Sequence, residues 1–159
     1  MLRDSSTMRP AAIGWVCAAL MVVCLCVGVA APRTAIGAED VDSETRHAVR
    51  GVIEAQLRAL SSGDASRAYD YATPAIRARF KDAPAFLEMV RTSFPMVATT
   101  ESASFMLPIW GAGVILQPVQ LRDRDGHYWR AIYELQRQSD MQWRINGCVV
   151  ADDDDTART

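Results

Sequence analysis

The chain has 159 residues, half of them hydrophobic, with 17 basic and 19 acidic side chains for a net charge of −2. That composition specifies one folded domain of ordinary size rather than a disordered chain. It supplies no basic field, and so excludes nucleic acid as a partner.

Ala11 to Ala31, AAIGWVCAALMVVCLCVGVAA, carries no charge over 21 residues, and Arg3 and Arg9 precede it. A basic start, an apolar stretch and small residues after it are the parts of a secretory signal. Residues 1–38 are read as that signal, cleaved after Ile36-Gly37-Ala38, with Gly28-Val29-Ala30 as a second cut site and Met8 as an alternative start. The same run is long enough to span a bilayer, so a retained inner-membrane anchor is the competing reading. Either way the folded part is expected outside the cytoplasm: periplasmic, secreted, or tethered to the inner membrane. Val23 before Cys24 and Leu25 before Cys26 argue against a lipid anchor, because neither is small. Cleavage leaves 121 residues with 14 basic and 18 acidic side chains and a single cysteine, Cys148. With no internal disulfide available, a packed core has to hold the fold.

Residues 39–151 are read as one domain. After a polar leader, Ser43 is placed as the N-cap of a helix to about Ser61, whose stripe is Val49, Val52, Ile53, Leu57 and Leu60. Gly63 ends it, and Asp64 caps a short second helix. There Ala65, Ala68, Tyr69 and Ala72 share the packed face, and Asp70 sits outside beside Arg67. Thr73-Pro74 restarts the chain as cap and first turn, with Ile76 and Phe80 inward and Arg77, Arg79 and Lys81 outward. Asp82 to Phe94 is a further helix burying Phe86, Leu87, Val90 and Phe94, and Pro95 stops it.

Beyond Pro95 the period changes from helical to alternating. Strands are predicted near 101–108, 113–123, 127–138 and 142–151. Asp125-Gly126 signals a type I′ hairpin. Trp129, Ala131, Tyr133 and Leu135 face one way; Tyr128, Arg130, Ile132 and Glu134 face the other. In the last strand Trp143, Ile145 and Val149 are expected to alternate with Arg144, Asn146 and Val150. Residues 152–159 read as an acidic disordered tail. The fold class is therefore α+β, with N-terminal helices packed on a curved four-stranded antiparallel sheet.

QLRALSSGDASRAYDYATPAIRARF, then FLEMVRTSFPMV, then QWRINGC stand in that order between Ile53 and Val150. In this they resemble a bacterial family known as domain of unknown function 4864. The resemblance implies membership of the nuclear transport factor 2-like superfamily, a cone of curved sheet wrapped around helices. That superfamily holds ketosteroid isomerase and dehydratases beside many non-enzymatic binding domains, so the fold itself implies no activity. The family's Tyr-Pro pair followed by basic residues is replaced here by Phe94-Pro95-Met96-Val97-Ala98-Thr99-Thr100.

The residues that carry chemistry are few. His127 follows the hairpin signal at a strand end, and His47 lies early in the first helix. Two distant histidines and one cysteine form no metal-ligand set. Asp152 to Asp155 lack the spaced ligands and glycine of a calcium loop. No metal, no cofactor and no catalytic residue is assigned. Cys148, among valines, reads as a small buried hydrophobe.

The aromatic set Trp110, Trp129, Tyr133 and Trp143, facing Phe86, Met89 and Phe94, is either a filled core or the wall of an open cone mouth. For the second case the pocket residues are Trp129, Tyr133, Met89, Phe94 and Gln117. The functional expectation is an exported domain binding a small apolar molecule or a protein partner through the cone or the outer sheet face. The alternatives are an isomerase- or dehydratase-like enzyme using Asp70, Asp82, Glu134 or His127, and a homodimer joined by an apolar outer face around Tyr128 and Ile132.

Overall fold

The computed structural model describes residues 41–153. The segment expected to direct export, residues 1–38, and nearly all of the expected acidic tail lie outside the described residues. Among the described residues, no helix is long and apolar enough to cross a membrane.

Five helices come first among the described residues: α1 (Ser43–Ser62), α2 (Ala65–Asp70), α3 (Pro74–Arg77), α4 (Ala83–Ser93) and α5 (Pro95–Ala98). The cap of α1 is Asp42, one residue before the expected Ser43, and its carboxylate accepts from Thr45 N. Gly63 closes α1 at φ 77° and bonds back to Ala59 and Leu60, the left-handed geometry that glycine adopts without a Cβ penalty. Asp64 and Thr73 cap α2 and α3 as read, and Asp82, expected as the first residue of its helix, instead caps α4; each accepts from a backbone N–H three residues on. Pro95 ends α4 and also opens α5 at its first position, where a missing N–H costs nothing.

Five strands follow, not four: β1 (Ser102–Phe105), β2 (Ile109–Gly111), β3 (Val114–Arg122), β4 (Tyr128–Arg137) and β5 (Trp143–Asp152). They form an open antiparallel sheet in the order β1-β3-β4-β5, with β2 also pairing β3. The single strand expected over 101–108 ends at Phe105, and β2 supplies the rest of that edge. β1 takes the far half of β3 and β2 the near half, so both share one edge of it. Gln117 holds the break: its buried amide donates to the Met106 carbonyl at 2.7 Å and the Pro118 carbonyl at 2.8 Å. Ala112 (φ 51°) and Gly113 (φ 78°) make the tight β2–β3 turn.

The Asp125-Gly126 connection is not a two-residue I′ turn. The Asp123 carboxylate accepts from both Asp125 N and His127 N, and that loop leaves only Gly126 of the segment at positive φ, 83°.

A second difference sits in β5. Glu134 faces Gly147 and Leu135 faces Ile145, so Asn146 is an extra residue, a β-bulge. One extra residue reverses every later side chain relative to the earlier ones. Trp143 and Ile145 are buried as expected, but Val149 is 71% exposed while Cys148 and Val150 pack on the core. β5 also extends through Asp152, and the Asp153 carboxylate accepts from Gln120 Nε2 at 2.5 Å and pairs with Arg130 at 2.7 Å.

The core lies between the helices and one sheet face. Val49, Ile53, Leu57 and Leu60 of α1 and Phe86, Leu87 and Val90 of α4 meet Ile115, Val119, Leu121, Ala131, Tyr133 and Leu135. Tyr71 O accepts from Ile145 N, and Thr73 N donates to Ile145 O, clamping the α2–α3 junction to β5.

Candidate functional site

The core is not filled everywhere. A cavity of about 250 Å³ opens between the helices and the bulged part of β5. Gln56 and Leu60 come from α1; Ala72, Ile76, Arg79 and Phe80 from the α2–α4 connection; Phe86, Met89 and Val90 from α4. Phe94 and Val97 flank Pro95, and Tyr133, Ile145, Asn146, Gly147 and Cys148 form the sheet wall. Phe86 meets Phe80 edge-on at 5.4 Å and Tyr69 at 5.6 Å, which fixes the aromatic side of the opening.

The polar groups of the lining are mostly committed. Gln56 Nε2 donates to Ala68 O at 3.1 Å, tying α1 to α2. Asn146 accepts from Thr73 Oγ1 at 3.0 Å and donates to Glu134 at 2.7 Å. Tyr133 differs. It is 1% exposed, and its hydroxyl has no oxygen or nitrogen partner among the described residues; the one polar group beside it is the Cys148 thiol, a weak partner. Burial pushes its phenol well above the ordinary 10.0, with a further push from the Cys148 thiol beside it. Burial likewise raises Cys148 to about 12 from 9.0, and its interaction with Tyr133 opposes part of that rise. Both groups are neutral near pH 7.

Three of the five sequence-derived pocket residues, Met89, Phe94 and Tyr133, line this cavity. Trp129 and Gln117 do not. Trp129 packs on His127 at 4.7 Å, and its indole donates to Asp123 at 2.8 Å, a bond that holds the Asp123 carboxyl below its ordinary value. Gln117 bridges the β1–β2 break and borders a separate groove with Arg46, Arg50 and Phe105. Trp110 and Trp143 stack edge-on at 5.9 Å, away from the cavity lining. Gln56, Arg79 and Asn146 went unnoticed as pocket residues. Gln56 left one signal, a polar side chain on the apolar stripe of α1; Asn146 left none, because a bulge has no sequence period.

The four acid–base candidates stand elsewhere. Asp70 is solvated and pairs with Arg77 at 3.6 Å rather than with Arg67. Asp82 caps α4. Glu134 accepts from Asn146, and His127 approaches Asp152 at 3.1 Å. None of them lines the cavity, whose titratable groups are Arg79, Tyr133 and Cys148. Among the described residues, no group of three His, Cys, Asp or Glu side chains could hold a metal ion.

No curated protein and no solved structure matches this sequence. A family model does, over residues 42–158, which takes in the helices, the whole sheet and the cavity between them. The chain belongs to the family described as domain of unknown function (DUF4864).

Proposed function

We propose that this domain binds a small apolar molecule in the cavity beside Tyr133. One observation carries the reading: a phenol hydroxyl 1% exposed with only the Cys148 thiol beside it, in a mainly apolar lining whose amides Gln56 and Asn146 are already hydrogen-bonded. Leaving such a group unsatisfied costs about 1–3 kcal/mol, and a ligand oxygen or nitrogen would recover it. Pockets for small molecules have this composition, an apolar wall with a few placed polar groups. Binding rather than acid–base catalysis is supported because, among the described residues, the wall offers a phenol and a thiol of high pKa and an arginine but no carboxylate or imidazole. The helices-then-sheet order also supports placing the family in the nuclear transport factor 2-like superfamily. The uncharged run Ala11 to Ala31 after Arg9 supports export, with the domain acting outside the cytoplasm.

The test is a titration of the full chain with the neutral fluorophore 1-naphthylamine, whose ring system is of the size that the cavity accepts. Saturable one-to-one enhancement is expected, lost in Met89→Trp, which fills the cavity. Enhancement that persists unchanged in Met89→Trp, or none in the parent chain, refutes the reading.

The outer sheet face supports a second reading, self-association. Pro118, Ile132 and Val149 are register partners across three strands, and Ile132 is 40% exposed, Val149 71% and nearby Leu116 36%. An apolar row of this kind suits a contact between two copies. Sedimentation velocity of Ile132→Glu beside the parent chain tests it: a dimer that dissociates on substitution is expected, and a monomeric parent removes the proposal.

A further inference from the structure

The mouth of the cavity carries a cation that no ion pair among the described residues neutralises. Arg79 is exposed and belongs to the lining, yet its guanidinium makes no hydrogen bond or ion pair among the described residues. Its neighbours do not compensate it. Arg77 takes Asp70 as its partner, and the Asp82 carboxylate is occupied by Ala85 N. Among the described residues, no carboxylate lines the cavity. The depth holds a neutral phenol and a neutral thiol in apolar surroundings. An anion pushed to that depth would lose its hydration with no cation to offset the loss, whereas at the mouth it keeps water and meets a guanidinium.

We infer that the ligand is an amphiphilic carboxylate whose apolar body fills the cavity while its head group pairs with Arg79 at the mouth. The inference rests on the apolar-binding reading above and adds the charge and polarity of the ligand. Size follows from volume. On the scale at which about 150 Å³ takes up a benzene ring, a cavity of about 250 Å³ accepts about ten carbon atoms. A hydroxyl or carbonyl oxygen part-way along that body would meet the Tyr133 hydroxyl, so an oxygenated medium-chain or ring-bearing monocarboxylate fits both polar contacts.

Decanoate and decan-1-ol separate the two levels of the argument. In calorimetric titrations of the full chain at neutral pH, decanoate is expected to bind more tightly than the alcohol at low salt. Added salt should narrow that gap, because the mouth is exposed to solvent. Arg79→Gln, an exposed substitution, is expected to weaken decanoate about tenfold and leave decan-1-ol unchanged. If both probes bind and Arg79→Gln alters neither, the carboxylate assignment is overturned and the apolar pocket stands. If neither probe binds the parent chain, the pocket reading falls and this inference falls with it.

Discussion

Thr73 and Asn146, 73 residues apart, are joined by a 3.0 Å hydrogen bond that ties the cap of α3 to the bulge of β5. The Thr73 hydroxyl therefore does two things at once. It accepts from Ile76 N at 3.3 Å to start the helix, and it donates to the side chain of the residue that reverses β5. The bulge in turn sets which of Cys148 and Val149 faces the cavity. Local capping chemistry and the shape of the pocket are one structure.

Thr73→Ala should therefore cost more than an ordinary cap. The cap alone is worth about 1 kcal/mol, and the orphaned Asn146 oxygen adds a loss of similar size, about 2 kcal/mol in total. Thr73→Ser keeps the hydroxyl and should recover most of it. Urea unfolding of the three proteins measures the difference; equal stability of the Ala and Ser variants would show that the hydroxyl carries no such duty.

Tyr133→Phe should behave in the opposite way. Removing a buried hydroxyl whose one polar neighbour is the weakly hydrogen-bonding Cys148 thiol relieves a desolvation cost, so the ligand-free variant should match or exceed the parent in stability by up to about 1 kcal/mol. Probes carrying a mid-chain oxygen should lose affinity, while decanoate, which offers none there, should not. A clear loss of ligand-free stability would reveal an internal partner for the phenol.

Cys148 and Tyr133 also fix the response to alkali. Both hold their protons in the folded chain beyond their ordinary values of 9.0 and 10.0, so the folded state binds more protons than the unfolded one as pH rises. Stability is then full below pH 9 and declines as pH climbs from there towards 12. The Cys148 contribution amounts to about 1 kcal/mol by pH 10. Cys148→Ala should flatten that decline. For the same reason, alkylation of Cys148 by iodoacetamide in the folded chain at pH 8 should run roughly a thousandfold slower than at an ordinary thiol. Ordinary alkylation kinetics would contradict both expectations.

What the sequence made legible and what it hid divide along a physical line. Caps and stripes are local, so the Gly63 terminus, the Asp64 and Thr73 caps and the apolar face of α1 could be read from spacing alone. The inward face of β4, with Ala131, Tyr133 and Leu135, followed from strict alternation. The bulge at Asn146 depends on a partner strand and on Thr73, and nothing in residues 142–151 announces it. The split between β1 and β2 depends on Gln117, twelve residues from Phe105, reaching back to the Met106 carbonyl. Three of the pocket residues were found because helix and strand periods put them on facing surfaces. Arg79 was rightly placed outside, but its position over the cavity mouth is a tertiary fact.

Gln117 supplies a last prediction, which separates folding from binding. Its amide is buried and bridges two carbonyls at the edge of β3, outside the cavity lining. Gln117→Leu leaves the Met106 and Pro118 carbonyls without that donor and should destabilise the chain by about 1–3 kcal/mol. The exposed Met106–Ile109 segment should loosen with it, visible as faster amide exchange there than in β4. Affinity for an apolar probe should stay at the parent value wherever the variant is folded, because the residue is not part of the pocket lining. A matched fall in probe affinity would instead place the ligand against β3, on the inward face that Gln117 shares with Tyr133.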